Sequence, residues 1–114
     1  MENNDALLLI TAQEHASLIR ILRLTLTALR LEYSTRTGFF ERETEALIEK
    51  LGTTRENKVS LTDQEILHLR QDLVEVLYGI DILDFESQFD LSREGVEILF
   101  QIIERYGKQY RIWN

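Results

Sequence analysis

Glu65-x-x-His68 is a spacing that could hold chemistry, because residues three apart on a helix project from neighbouring points of one face. Carboxylate-bridged di-iron bundles use the same Glu-x-x-His unit, but they need a second copy and further glutamates aimed into one core. No second copy occurs, and His15 follows Glu14 directly, which points those two side chains apart. On a helical wheel His68, Gln71 and Glu75 fall on a polar flank, so the sequence predicts a solvated histidine rather than a metal ligand. Nucleophilic chemistry has as little to work with. The chain has no cysteine, no Gly-x-Ser-x-Gly elbow and only two histidines. Gly38, Gly52, Gly79, Gly95 and Gly107 are isolated from one another, so no glycine-rich phosphate loop is present. Glu41, Glu43, Glu45 and Glu49 could in principle pair for acid/base work, yet a charge run on a short helix reads first as a solvated face. The expectation is a protein without catalytic residues, metal or cofactor.

Positive charge on a regular element is concentrated at Arg20, Arg23 and Arg30. Three arginines without interleaved aromatics make a weak phosphate footprint. With 20 acidic against 13 basic side chains the net charge is −7, which repels polyphosphates and anionic membrane surfaces. Nucleic acid and membrane are therefore not expected partners. The arginines are expected to meet solvent, to pair with acidic side chains such as those of the second helix, or to rim a protein contact. The apolar stretch from Leu18 to Leu31 contains all three, too costly for a membrane span. The acidic opening Met1-Glu2-Asn3-Asn4-Asp5 and the short apolar run Ala6 to Ile10 do not read as an export signal, and a cytoplasmic protein is expected.

The elements that must position these residues read as helices. No proline and only 5 glycines leave little punctuation for a many-turned β fold, and 114 residues with 44% apolar content suit one core. Thr11-Ala12-Gln13-Glu14 and Thr62-Asp63-Gln64-Glu65 both fit the capping box, and Ser92 fits an N-cap flanked by Leu91 and Val96. A first helix is predicted from Thr11 to Tyr33 or Ser34, with Thr35 to Gly38 as a turn. A second covers Phe39 to Leu51 and stops at Gly52 as a left-handed residue, and Thr53 to Ser60 follows as a polar loop. The third runs from Asp63 to Leu83 with a seam of Ile66, Leu69, Leu73, Val76, Ile80 and Leu83. A helical turn around Phe85 and Phe89 is predicted to plug one end. The last helix extends from Arg93 toward Trp113 with Val96, Leu99, Ile103, Tyr106, Tyr110 and Trp113 on its seam. The expected fold is all-α: a small antiparallel four-helix, up-and-down bundle with a short extra helical turn, residues 1–10 being a partly disordered N-terminal segment and 11–114 the single domain.

The first helix departs from a plain bundle helix. Arg20, Arg23, Thr27, Arg30 and Ser34 form a narrow polar strip, and two apolar stripes lie around it. One holds Leu18, Ile19, Leu22, Leu26, Leu29 and Tyr33, and the other Ile21, Leu24, Ala28 and Leu31. A surface helix of a monomeric bundle needs one stripe. The second stripe is covered either within the chain, by the second helix and the Phe85/Phe89 turn, or by another protein. The sequence favours the latter: a non-enzymatic interaction module, a small adaptor, regulator or assembly subunit, homodimeric through the first helix. Its interface residues are Arg20, Ile21, Arg23, Leu24, Ala28, Arg30 and Leu31. The rival is an acidic immunity-type or antitoxin-type inhibitor of a basic protein, acting through Glu41, Glu43, Glu45 and Glu49, and a metal-binding helical-bundle enzyme is the distant third.

Overall fold

The computed structural model of the chain describes residues 6–54, 58–110 and 112. It is mostly helical and carries one small sheet. Strand β1 (Ala6–Leu9) leads into α1 (Ala12–Leu29), a 3-10 turn (Arg30–Glu32) and the short α2 (Tyr33–Thr37). Helix α3 (Glu41–Thr53) follows, then β2 (Lys58–Leu61), α4 (Asp63–Val74) extended by a π turn (Glu75–Gly79), the short α5 (Phe85–Phe89) and α6 (Arg93–Gln109). Helix α4 packs against α6 and α1, and α1 packs against α3 and α5.

Helix starts follow local chemistry. Thr11 Oγ1 accepts from the Glu14 amide at 3.0 Å while the Glu14 carboxylate accepts from the Thr11 amide at 2.9 Å. Thr62 and Glu65 repeat the exchange at 3.1 and 2.9 Å, and Ser92 Oγ accepts from the Gly95 amide at 3.1 Å. Each bond satisfies an amide that the first helical turn leaves without a partner.

The small sheet was not expected. Lys58 to Ser60, read from sequence as part of a loop, pair antiparallel with part of the opening segment, Leu8 standing opposite Val59. Both of those side chains are buried, whereas Leu9 and Lys58 face out. The alternation of polar and apolar residues in Lys58-Val59-Ser60-Leu61 is the period-2 signal of a half-buried strand. Of the first ten residues, expected to be partly disordered, Ala6–Leu9 thus form a strand; Met1 to Asp5 lie outside the described residues.

Helix ends depart from expectation more than starts do. Gly52 lies within α3, and the left-handed glycine is instead Gly38, at φ 84, closing α2. The third helix does not reach Leu83. Its last turn widens to a π turn closed by the Ile80 amide donating to the Glu75 carbonyl at 2.6 Å, and Ile80 is extended. The extra residue shifts the seam, so Val76 and Leu77 are buried while Leu83 is 94% exposed. Arg36 stitches this turn to α2, donating to the Glu75 carboxylate at 2.6 Å and to the Gly79 carbonyl at 3.1 Å. A Cβ on Gly79 would crowd Glu75 Oε1 and come within 2.7 Å of Arg36 Nη2, so the missing side chain makes room for the ion pair.

The first helix also ends early, at Leu29, because Arg30 adopts φ 49 and ψ −118. That region suits glycine at the second position of a type II′ turn, and a residue with a Cβ is strained there by roughly 1–3 kcal/mol. Arg30→Gly should relieve more strain than it adds in unfolded-chain entropy, a net gain of about 1 kcal/mol. The expected readout is a melting temperature higher by about 4 °C at fixed protein concentration, and an unchanged or lower one contradicts the strain.

The main core is built from Leu18, Ile21 and Leu22 of α1, Leu47 and Leu51 of α3, Ile66, Leu69 and Leu73 of α4, and Val96, Leu99 and Ile103 of α6. Helix α5 closes it with Phe85 and Phe89, whose rings meet edge to face at 5.6 Å. Asp84 caps α5 by accepting from the Ser87 amide, and Ser17 Oγ of α1 donates to the Phe89 carbonyl at 2.5 Å. On the last seam Tyr106 is buried and Tyr110 is exposed; Trp113 lies outside the described residues.

Candidate functional site

Two places in the molecule exceed what a plain helical core needs. One is a buried polar cluster between α2, α3 and α4. The other is a surface groove along α1.

In the cluster the Tyr33 hydroxyl donates to the Asp72 carboxyl, at 2.7 Å from Oδ2 and 2.9 Å from Oδ1, and accepts from Thr44 Oγ1 at 2.7 Å. His68 Nε2 lies 2.9 Å from the Tyr33 oxygen and 2.8 Å from Thr44 Oγ1, within hydrogen-bond reach of both. The imidazole stacks on Phe39 with centroids 4.1 Å apart and planes 5° from parallel. His68 is therefore not the solvated residue expected on a polar flank: it is 3% exposed. Helix α2, invisible as a helix in the sequence, turns Tyr33 and Phe39 onto that flank of α4 and buries it.

Burial decides the charge states. Removal from water pushes the Asp72 carboxyl up to about 8 against the hydrogen bond from Tyr33, with the nearby Glu75 charge adding to the rise. His68 is lowered to about 4 by the same loss of solvent, although Glu43 and Glu65 pull it the other way. The Tyr33 hydroxyl is raised, by burial first and by the neighbouring Asp72 second. At neutral pH a carboxylic acid, a neutral imidazole and two hydroxyls satisfy one another without net charge, which is how polar groups survive in a core. Tyr33, Thr44, His68 and Asp72 are all buried, and none of them lines the surface groove described next. The cluster holds three elements together. Glu65 pairs with Lys50 at 2.7 Å, and among the described residues no group of three or more histidines and carboxylates is placed to hold an ion.

The groove runs along α1 opposite the segment joining the π turn to α5. One part, of about 400 Å³, is lined by Leu24, Thr27 and Ala28 on the helix and by Ile80, Ile82 and Leu83 on the facing wall. A contiguous part, of about 500 Å³, shares Leu24, Thr27 and Gln88 with the first and adds Arg20 and Arg23. Four of the seven residues selected from sequence therefore meet in one groove. The other three do not. Ile21 is in the main core with Phe85 and Phe89, which removes it from any contact face. Arg30 and Leu31 lie beyond the break in α1, both exposed, Leu31 at 96%. The second apolar stripe is thus split: its first residue is covered within the chain and its later ones are not.

Sequence reasoning missed the wall of this groove. Ile80 and Leu83 were expected on the buried seam of the third helix, and the π turn places them beside Ala28 instead. On α3, Glu41, Glu43, Glu45 and Glu49 are all exposed, Glu43 accepting from the Phe40 amide at 2.7 Å. No described helix is long and apolar enough to cross a membrane. No protein-family model, curated protein or solved structure matches this chain.

Proposed function

We propose that the chain is a non-enzymatic protein–protein interaction module, a small cytosolic adaptor, regulator or assembly subunit, which self-associates through the face of α1. We also propose that α1, α3, α4 and α6 run up and down as an antiparallel bundle, a reading supported by the contacts of α1 with α3 and α4 and of α4 with α6. The observation that carries the functional reading is the apolar groove between Leu24 and Ala28 on one side and Ile80, Ile82 and Leu83 on the other. Covering a leucine as exposed as Leu83 contributes on the order of 2 kcal/mol, so a groove of this composition favours occupation by another protein surface.

Light scattering over a concentration series tests the reading. A mass rising from monomer toward dimer is expected, and monomer mass throughout contradicts self-association. Leu24→Glu, at a half-buried position in the groove floor, should weaken association at least about tenfold while circular dichroism keeps its helical signal. Loss of the helical signal would show that Leu24 serves the fold instead.

One observation favours a second reading, an acidic immunity-type or antitoxin-type inhibitor. Glu41, Glu45 and Glu49 are exposed, and no ion pair joins them to any other described residue. Salt-sensitive binding to a basic protein, abolished by Glu41→Gln with Glu45→Gln and Glu49→Gln, is its expected signature.

A further inference from the structure

The groove carries charge of both signs, and the two signs sit at its opposite ends. Arg20 and Arg23 line one end, and Asp81 and Asp84 line the other, beside Ala28 and Leu83. From Arg20 to Ala28 the helix rises about 12 Å, with Leu24 midway. All four charged residues are exposed, and none makes an ion pair with a described residue. A rotation of 180° about an axis through the middle of the groove exchanges its two ends. A second copy so placed meets arginine with aspartate at both ends while its Leu24 falls over the apolar centre. A head-to-tail arrangement would satisfy one end only and leave the other open for a further copy.

We propose that a second copy of this chain covers the groove in an antiparallel two-fold pairing centred on Leu24, with Arg20 and Arg23 of each copy against Asp81 and Asp84 of the other. This rests on the self-association reading above and adds the partner surface, the direction and the closure. Each chain bears a net charge of −7, so two copies repel at long range, and a local match of opposite charges selects this face over the rest of the surface.

A charge swap tests it on the full chain. One variant carries Arg20→Glu with Arg23→Glu. The other carries Asp81→Lys with Asp84→Asn, asparagine being able to keep the cap that Asp84 provides to α5. Each alone should bind itself at least about tenfold more weakly than the native chain, because like charges then face each other at both ends. Mixed in equal amounts, the two should form a heterodimer, seen by native mass spectrometry, with affinity within about threefold of the native dimer. A native dimer insensitive to both sets of changes, a mixture that stays monomeric, or growth of the native chain beyond dimers would each overturn this pairing. A native chain that is monomeric at every concentration would overturn the underlying reading with it. Should a double variant lose its helical signal, the single exchange of Arg23→Glu against Asp81→Lys gives the same readout.

Discussion

Tyr33→Phe should destabilise the fold by about 3 kcal/mol, a loss far larger than one hydroxyl contributes on average. That oxygen is the hub of the buried cluster, bonded to Asp72 and Thr44 and within 2.9 Å of His68 Nε2. Removing it leaves a carboxyl group with 0% exposure facing a benzene ring and shielded from bulk solvent. The cost is the desolvation of groups left behind. Urea unfolding should show a lower midpoint at unchanged slope, and thermal melts a fall of about 12 °C. Adding Asp72→Leu to Tyr33→Phe should return part of the loss, because an apolar pair no longer contains an orphaned acid. If Tyr33→Phe lies within about 0.5 kcal/mol of the native chain, the cluster does not hold α2, α3 and α4 together as argued.

The second large effect is a stability that declines as pH rises from about 6.5 to about 8. The Asp72 carboxyl is raised by burial to about 8 from an ordinary 3.8, so the folded chain keeps a proton that the unfolded chain has released. This favours folding at low pH and is lost as pH climbs through the folded value. His68 works in the opposite sense: lowered by burial to about 4 from 6.5, it favours folding at high pH and loses that contribution as pH falls. Between about 4 and 6.5 the two slopes cancel and stability is flat. Above 6.5 only Asp72 still differs between the states, and one proton over about 1.5 pH units amounts to about 2 kcal/mol, or about 8 °C in melting temperature. Asp72→Asn should abolish the decline above pH 6.5 and uncover the His68 slope, a stability that rises from pH 4 to 6.5. A native profile that is flat or rising between pH 6.5 and 8 would contradict an acid buried in its protonated form.

These effects arise from a cluster whose His68 the local pattern placed on a solvated flank, and the reason lies in helix ends. Thr11, Thr62 and Ser92 start their helices where the capping pattern puts them, because an N-cap bond involves only residues three apart. The seams of α4 and α6 are equally legible as far as Val76 and Tyr106, both buried. The helical reading holds for most of the described residues, and the two four-residue strands depart from it. The alternation from Lys58 to Leu61 is a period-2 signal only four residues long, and its partner is far off in sequence: Leu8 and Val59 meet across some fifty positions.

The site shows the same division. Arg20, Arg23, Leu24 and Ala28 share one side of α1 through the helical period alone, so their common face was readable from their spacing. The far wall was not, since Ile80, Ile82 and Leu83 reach it through a π turn held by Arg36 from another helix. Nor was the burial of His68 and Asp72, which depends on Tyr33 and Phe39 arriving after the kink at Arg30. Bonds between residues three or four apart are written in composition and period, whereas whether a polar flank meets water or another helix depends on contacts between residues about 35 positions distant.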